Sequence, residues 1–289
     1  MKHWFKVAVL YLLPHHALSR IVQWCTRCDW FPLRRSMTRW FIQHYHVDMS
    51  EAQESDPDSY LTFNRFFTRA LQQEARPVVQ EAGQICCPND GTIIQIGDIQ
   101  GTLIFQAKGY TFSLIELLGG SEERAQPFVA GRFATMYLSP GDYHRVHMPL
   151  AGRLMEMTYI SGRLFSVSPE YNEAVPRLFA RNERVVCIFQ TEADRMAVVL
   201  VGAIFVGSIE TVWAGEITPP RRKGVEVTRY TADNVIQLQR GAELGRFNMG
   251  GSTIIVLFGP GRVKWQTELV AGTRVRVGQA LGWVERSPT

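Results

Sequence analysis

A chain of 289 residues with 46% hydrophobic content has room for one large domain or two small ones and enough apolar side chains to fill a core. Five cysteines, an odd number with Cys86 and Cys87 adjacent, exclude a disulfide framework and point to the cytosolic side. The formal charge is only +4, but residues 1–47 hold seven basic residues against the single acid Asp29, so the rest of the chain is slightly acidic.

Residues 1–47 read as two or three short helices broken near Pro14 and Pro32, because proline removes a donor and clashes inside a helix. Four of the seven tryptophans lie here, Trp4, Trp24, Trp30 and Trp40, with Phe5, Tyr11, Phe31, Phe41 and Tyr45. Aromatic rings that settle at headgroup level, beside cations that pair with anionic lipid, predict helices lying on a membrane surface rather than a nucleic-acid site. The bland alternative is a helical hairpin packed on its own domain. The apolar run 7–13 is far shorter than the roughly 20 residues a bilayer crossing takes. No small-residue cleavage pattern follows it, so the segment is expected to be retained. Cys25-Thr26-Arg27-Cys28 has zinc-knuckle spacing without a second pair, and no metal is expected there.

Residues 48–58 form an acidic linker, and 48–289 make up the second unit. Residues 60–71 predict a helix docked on the core, with Phe63, Phe66 and Phe67 as core. Strands are predicted at 92–96, 102–106, 133–138, 153–160, 184–189, 196–206, 209–213 and 225–230, with a helix at 113–118 capped by Ser113 and stopped by Gly119-Gly120. Near the end, Gly272-Thr273-Arg274-Val275-Arg276-Val277-Gly278-Gln279-Ala280-Leu281-Gly282 resembles the turns of lipoyl- and biotinyl-carrier domains, without the carrier lysine motif. The expected fold is α+β: a β-rich catalytic core with carrier-domain-like barrel elements, preceded by amphipathic amino-terminal helices.

Between Leu244 and Phe258 a strand-like run is interrupted by Gly250-Gly251-Ser252-Thr253. Two glycines weaken a buried strand unless the backbone must bend or be approached closely. The Gly251-Ser252 bond has no side chain on its acyl side and is open to attack by the serine hydroxyl; an ordinary turn is the competing reading. The stretch Gly245-Arg246-Phe247-Asn248-Met249-Gly250-Gly251-Ser252-Thr253, with Asp142-Tyr143-His144-Arg145-Val146-His147-Met148-Pro149 and Pro88-Asn89-Asp90-Gly91, resembles the bacterial phosphatidylserine decarboxylases. Further matching blocks, Tyr60-Leu61-Thr62-Phe63-Asn64-Arg65-Phe66-Phe67, Phe179-Ala180-Arg181-Asn182-Glu183-Arg184 and Gly207-Ser208-Ile209-Glu210-Thr211-Val212-Trp213-Ala214-Gly215, extend the resemblance over nearly the whole chain. One departure stands out: the family usually has leucine or a similar bulky residue directly before the Gly-Ser bond, where this chain has Gly250.

The resemblance implies a self-cleaving proenzyme in which Asp90, His147 and Ser252 act together on the chain's own backbone. A serine hydroxyl needs a base, and histidine serves best when a carboxylate fixes its tautomer. Cleavage between Gly251 and Ser252 would give a β chain of residues 1–251 and an α chain of residues 252–289 that begins with a pyruvoyl group and stays associated with it. The pyruvoyl group, made from Ser252, would bind phosphatidylserine through a Schiff base and act as electron sink for loss of CO2, leaving phosphatidylethanolamine with no external cofactor. His144 is the candidate proton donor or carboxylate-polarising group, and Arg145 a candidate for the headgroup phosphate. Asp142, His144 and His147 could instead ligate a metal, but Pro140-Gly141 and Pro149 favour a loop over the required helix. Two other readings remain: a Ser-His-Asp hydrolase acting on an external lipid ester, against which stands the lack of a nucleophile-elbow motif, and a non-enzymatic lipid-surface module. The expected location is the cytoplasmic face of the cell membrane, with an anionic lipid surface as partner and no nucleic acid; homo-oligomer formation is left open.

Overall fold

The computed structural model describes residues 14–206, 208–218 and 224–285. The apolar run 7–13, with Lys2, Trp4, Phe5 and Lys6, lies outside the described residues. Helices α1 (His15–Arg27) and α2 (Phe31–Tyr45) follow. The break near Pro32 falls at residues 28–30, and Pro32 itself sits in the first turn of α2, where the missing N–H would have had no partner anyway. Phe41 of α2 buries its ring edge-to-face against Phe63, Phe66 and Phe67, at centroid distances of 5.3, 5.9 and 5.8 Å.

Those three phenylalanines lie on helix α3 (Phe63–Phe67), much shorter than the predicted span. Thr62 caps it by accepting the Arg65 N–H, and at the other end the Thr68 hydroxyl donates back to the Asn64 carbonyl at 2.9 Å. That local bond offers the backbone an alternative to continuing the helix.

The predicted strands appear with shifted ends. Those that place the site are β1 (Gly91–Asp98), β2 (Arg132–Leu138), β3 (Arg145–His147), β4 (Gly152–Ile160), β5 (Arg184–Thr191), β6 (Asp194–Val201), β7 (Ser208–Thr211), β8 (Glu243–Asn248) and β9 (Ser252–Phe258). The main sheet runs Val225–Arg229, β4, β5, β6, β9, β2, β1, Arg274–Val275, with Gln237–Leu238 also paired to β4. A second sheet has the order Gly215–Glu216, β7, β8, β3, and a third pairs Gln84–Cys86 and Val263–Trp265 with Ala280–Val284. Strand β9 lies between β6 and β2 and is buried at every residue, which is why it reads as an unbroken apolar run rather than an alternating one.

The architecture is α+β, with extensive sheets and few helices. The expected barrel elements do not close: among the described residues the main sheet is an open path. Its outer strand Val225–Arg229 is exposed along its whole length and carries Glu226 and Arg229, charges that guard a free edge.

Candidate active site

Residues 249–251 carry the chain from β8, in the second sheet, to β9, in the main sheet. The bend uses two successive left-handed residues, Met249 at φ 72° and Gly250 at φ 89°. A Cβ at Gly250 would lie 2.7 Å from the Val206 backbone nitrogen, so glycine is required both by conformation and by close approach. The apolar role shifts to Met249, which packs against the Phe41, Phe63, Phe66 and Phe67 cluster.

On the acyl side of the next bond, a Cβ at Gly251 would meet the Leu138 carbonyl oxygen and the Tyr137 hydroxyl, each at 3.3 Å. Burial pushes the Tyr137 phenol up to about 12, so the hydroxyl keeps its proton. Ser252 opens β9 opposite Leu138 of β2; it is fully buried, and its Oγ has no hydrogen-bond partner. An unsatisfied buried hydroxyl is costly in a folded protein and calls for a functional reason.

His144 is also fully buried, stacked on Phe67 at 4.2 Å. Its Nε2 lies 3.0 Å from the Ser139 carbonyl oxygen and 3.2 Å from that of Pro140, so Nε2 carries the proton and Nδ1 keeps its lone pair, without a partner. Those carbonyls directly follow Leu138, the cross-strand neighbour of Ser252. Burial lowers the His144 pKa to about 4, against the charge of Asp142, and the ring is neutral at pH 7.

His147 has the opposite tautomer: Nδ1 donates to the Gly241 carbonyl at 2.8 Å, and Nε2 accepts from the Tyr143 hydroxyl at 3.2 Å. Burial lowers its pKa, and the Gly241 bond works in the other direction. In β3 it pairs with Glu243, whereas the His144 carbonyl accepts the Phe247 N–H. His147 thus lies roughly 10 Å along the strand from His144, at about 3.3 Å per residue, and on the side away from the 249–251 bend.

The Asp90 carboxylate is not hydrogen-bonded to His147. It accepts from Arg76 Nε at 3.0 Å on both oxygens and from a terminal Arg76 nitrogen at 2.6 Å, and Oδ1 also accepts the Val277 N–H at 2.8 Å. Its charge reaches His147 only through space. Arg145 donates Nε to the Thr68 carbonyl at 3.0 Å and pairs with Glu243 at 2.8 Å. Asp142 accepts the Ser139 N–H and pairs with Arg274, and its charge reaches His144 without a direct hydrogen bond; among the described residues no group of three His, Cys, Asp or Glu could hold a metal ion.

Several groups that sequence reasoning passed over meet here. Asn248, the last residue of β8, donates to Ser208 Oγ at 2.7 Å and accepts from Asn64 Nδ2 at 3.1 Å. Ser208 donates to Glu216, which Arg27 of α1 also engages, so the amino-terminal helix reaches the strand that leads into the bend. Tyr137 lies inside a predicted strand and Arg76 beyond the end of the predicted helix 60–71; neither has a local signal beyond its residue type.

A family model described as phosphatidylserine decarboxylase matches residues 63–283. The chain belongs to the phosphatidylserine decarboxylase family. A second model, described as PSD, matches residues 5–46. The phosphatidylserine decarboxylase proenzyme of Ectopseudomonas mendocina (strain ymp) is 57% identical to this chain, over 98% of the chain and 99% of that protein. The proenzyme of Pseudomonas aeruginosa (strain LESB58) is 56% identical, over 96% of each. The phosphatidylserine decarboxylase match spans Asp90, His144, Arg145, His147 and Ser252.

Proposed function

We propose that the chain is a self-cleaving phosphatidylserine decarboxylase proenzyme that cuts itself between Gly251 and Ser252 and converts phosphatidylserine to phosphatidylethanolamine and CO2. The observation that carries this reading is the buried, partnerless Ser252 Oγ beside a side-chain-free acyl residue, at the end of a left-handed bend.

Ser252 Oγ attacks the Gly251 carbonyl carbon, the Tyr137 hydroxyl donates to the oxyanion that forms, and the Ser252 nitrogen leaves to give an ester; elimination across Ser252 Cα–Cβ then releases the Gly251 carboxylate, and water converts the dehydroalanine to the pyruvoyl group and ammonia. His147, held in one tautomer by Gly241, is assigned as the base; its Nε2 accepts from the Tyr143 hydroxyl in this structure and has to exchange that partner and approach Ser252 to take the proton. Asp90 fixes Arg76 and the Val277 turn and adds a favourable charge. A pyruvoyl group fits position 252, since the residue whose Cα and Cβ would form it has a hydroxyl free of hydrogen bonds and sits on a rigid strand. That group supplies the electron sink for decarboxylation. His144 Nδ1 accepts the proton that the substrate ammonium must lose and returns it to the carbon that CO2 leaves.

The two chains stay together because β9 is paired on both sides with strands of the β chain, and Arg274–Val275 and Ala280–Val284 pair with β1 and Gln84–Cys86. The carrier-like turns of residues 272–282 serve as this clasp. The protein binds peripherally to the cytoplasmic face of an anionic membrane through Ile21, Trp24, Trp30, Phe31, Trp40 and Leu61, all exposed, with Trp24 at 72%. None of the described helices is long and apolar enough to cross a bilayer.

Intact-mass measurement tests the core of this reading. Two fragments meeting at 251/252, the smaller of 38 residues and blocked at its amino terminus, are expected, and Ser252→Ala is expected to remain one chain without decarboxylation. A single full-length mass from active wild-type protein would refute it.

A further inference from the structure

Arg69 is a buried cation without a counter-ion. Only 5% of its surface is exposed, its Nε has no hydrogen-bond partner, and among the described residues no ion pair reaches its guanidinium; the Phe66 ring lies 5.3 Å from Cζ. Most of the neighbouring carboxylates are engaged by other arginines, and Asp48 and Glu54, which line the same cavities, accept instead from Ser50 and from the Asp56 N–H. Asp90 and Glu51 pair with Arg76, Glu243 with Arg145, Glu210 with Arg246, and Asp142 with Arg274. Tyr60 and Tyr143, which also face it, keep their protons. Removing a charge from water without a partner is strongly unfavourable, and a fold that satisfies five acids around one unsatisfied arginine has left that arginine for an anion that arrives later.

Arg69 lines two cavities at once. One, of about 330 Å³, is shared with Asp90, Ser139 and Tyr143; the other, of about 710 Å³, is shared with Asn64, Arg145 and Asn248. Both adjoin the segments that hold position 252, through Ser139 behind His144 and Asn248 at the end of β8. We propose that Arg69 is the specificity-determining residue that binds the phosphodiester of the lipid headgroup, a role resting on the proposed decarboxylase reading. The substrate carries two anions, and the chemistry selects between them. A guanidinium on the carboxylate would hold it in its ground state and oppose loss of CO2, whereas one on the phosphodiester binds substrate and transition state alike. Arg145, already bonded to Thr68 and Glu243, shapes the wall instead.

The test uses uncleaved Ser252→Ala protein for binding and matured protein for turnover. Calorimetry with glycerophosphoserine and glycerophosphoethanolamine is expected to show both binding to the Ser252→Ala protein, and Arg69→Met is expected to weaken both about 10–100-fold, the range of one charge-assisted contact. In matured enzyme the same change raises KM for phosphatidylserine by a similar factor with kcat little altered, and Arg69→Lys falls between. Loss confined to glycerophosphoserine would place Arg69 on the carboxylate and overturn the proposal, as would unchanged affinity for both. If Arg69→Met does not mature, Arg69→Lys is assayed; failure of both to mature would assign Arg69 to self-cleavage and overturn it too. Wild-type turnover of phosphatidylserine, run in parallel, separates failure of this inference from failure of the decarboxylase reading.

Discussion

If Asp90 works chiefly by clamping Arg76, then removing either partner should have the same consequence. The pair is nearly dry, with side chains 7% and 11% exposed, and it joins residues before β1 to the Val277 turn. Asp90→Asn keeps an acceptor for Val277 but turns an amide N–H2 toward the Arg76 donors; Arg76→Met leaves the carboxylate with Val277 alone. Breaking a buried pair from one side costs about 3–5 kcal/mol, so each single variant of the Ser252→Ala protein should lose about that much in urea unfolding. The double variant should lose less than the sum, with a coupling of about 2 kcal/mol. In the cleavable protein, both singles should slow the appearance of two chains on a denaturing gel. A pure charge effect of Asp90 on His147 makes a different forecast: Asp90→Asn slows cleavage by up to about 10⁴, as in protease triads, while Arg76→Met frees the carboxylate and leaves cleavage as fast or faster. Arg76→Met protein that is stable and matures at the wild-type rate would refute the clamp.

Tyr137→Phe should slow maturation about 10²-fold with little loss of stability, if its hydroxyl serves the Gly251 oxyanion; stopped time courses read by mass spectrometry decide this. His144 is neutral when folded, with a pKa near 4, and takes up a proton near pH 6.5 when unfolded, so its burial contributes stability above pH 6.5 that is lost as pH falls toward 4, about 3 kcal/mol in all. Urea unfolding of Ser252→Ala protein from pH 7.5 to 4 should show that slope, and adding His144→Gln should flatten it. Replacing Trp24, Trp30 and Trp40 by Ser should lower vesicle flotation roughly tenfold per ring and leave self-cleavage intact. Reversing Arg34, Arg35 and Arg39 is a poorer probe of the membrane, because these side chains hold Asp58 and the Tyr60 carbonyl.

What could be read from the sequence was whatever depends on neighbours along the chain. Apolar runs announced β2, β5 and β9, and Ser113 with Gly119-Gly120 marked a short helix that forms at Leu114–Leu117. The Gly251-Ser252 bond stood out because two glycines interrupt a core strand. Features that depend on distant partners were silent. Helix α3 stops early because Thr68 turns back on Asn64, a choice between two local bonds that periodicity cannot rank. Asp90 finds Val277, 187 residues away, and the tautomers of His144 and His147 follow from which carbonyl each ring meets. Arg69 is the extreme case, since its availability is visible only after the nearby carboxylates have been matched to their own partners.

The position of the scissile bond reconciles two demands that otherwise conflict. A reactive group must sit on a rigid element to be aimed, and Ser252 is the first residue of a strand that is paired on both sides from Thr253 onward, so a cut before it would leave the pairing of residues 253–258 in place. Yet Ser252 is fully buried, and a lipid headgroup must reach it. The segment on the other side of the bond is the one held least comfortably: Met249 is a non-glycine residue in the left-handed region, a conformation that costs about 1 kcal/mol or more, and Gly250 is pressed against the Phe205–Val206 backbone. While the chain is intact, continuity with β9 keeps 249–251 in place. On the proposed reading, cleavage would remove that tether on the side away from the sheet, next to the cavity that Asn248 and Arg69 line, while the strand that carries position 252 keeps its partners from Thr253 onward.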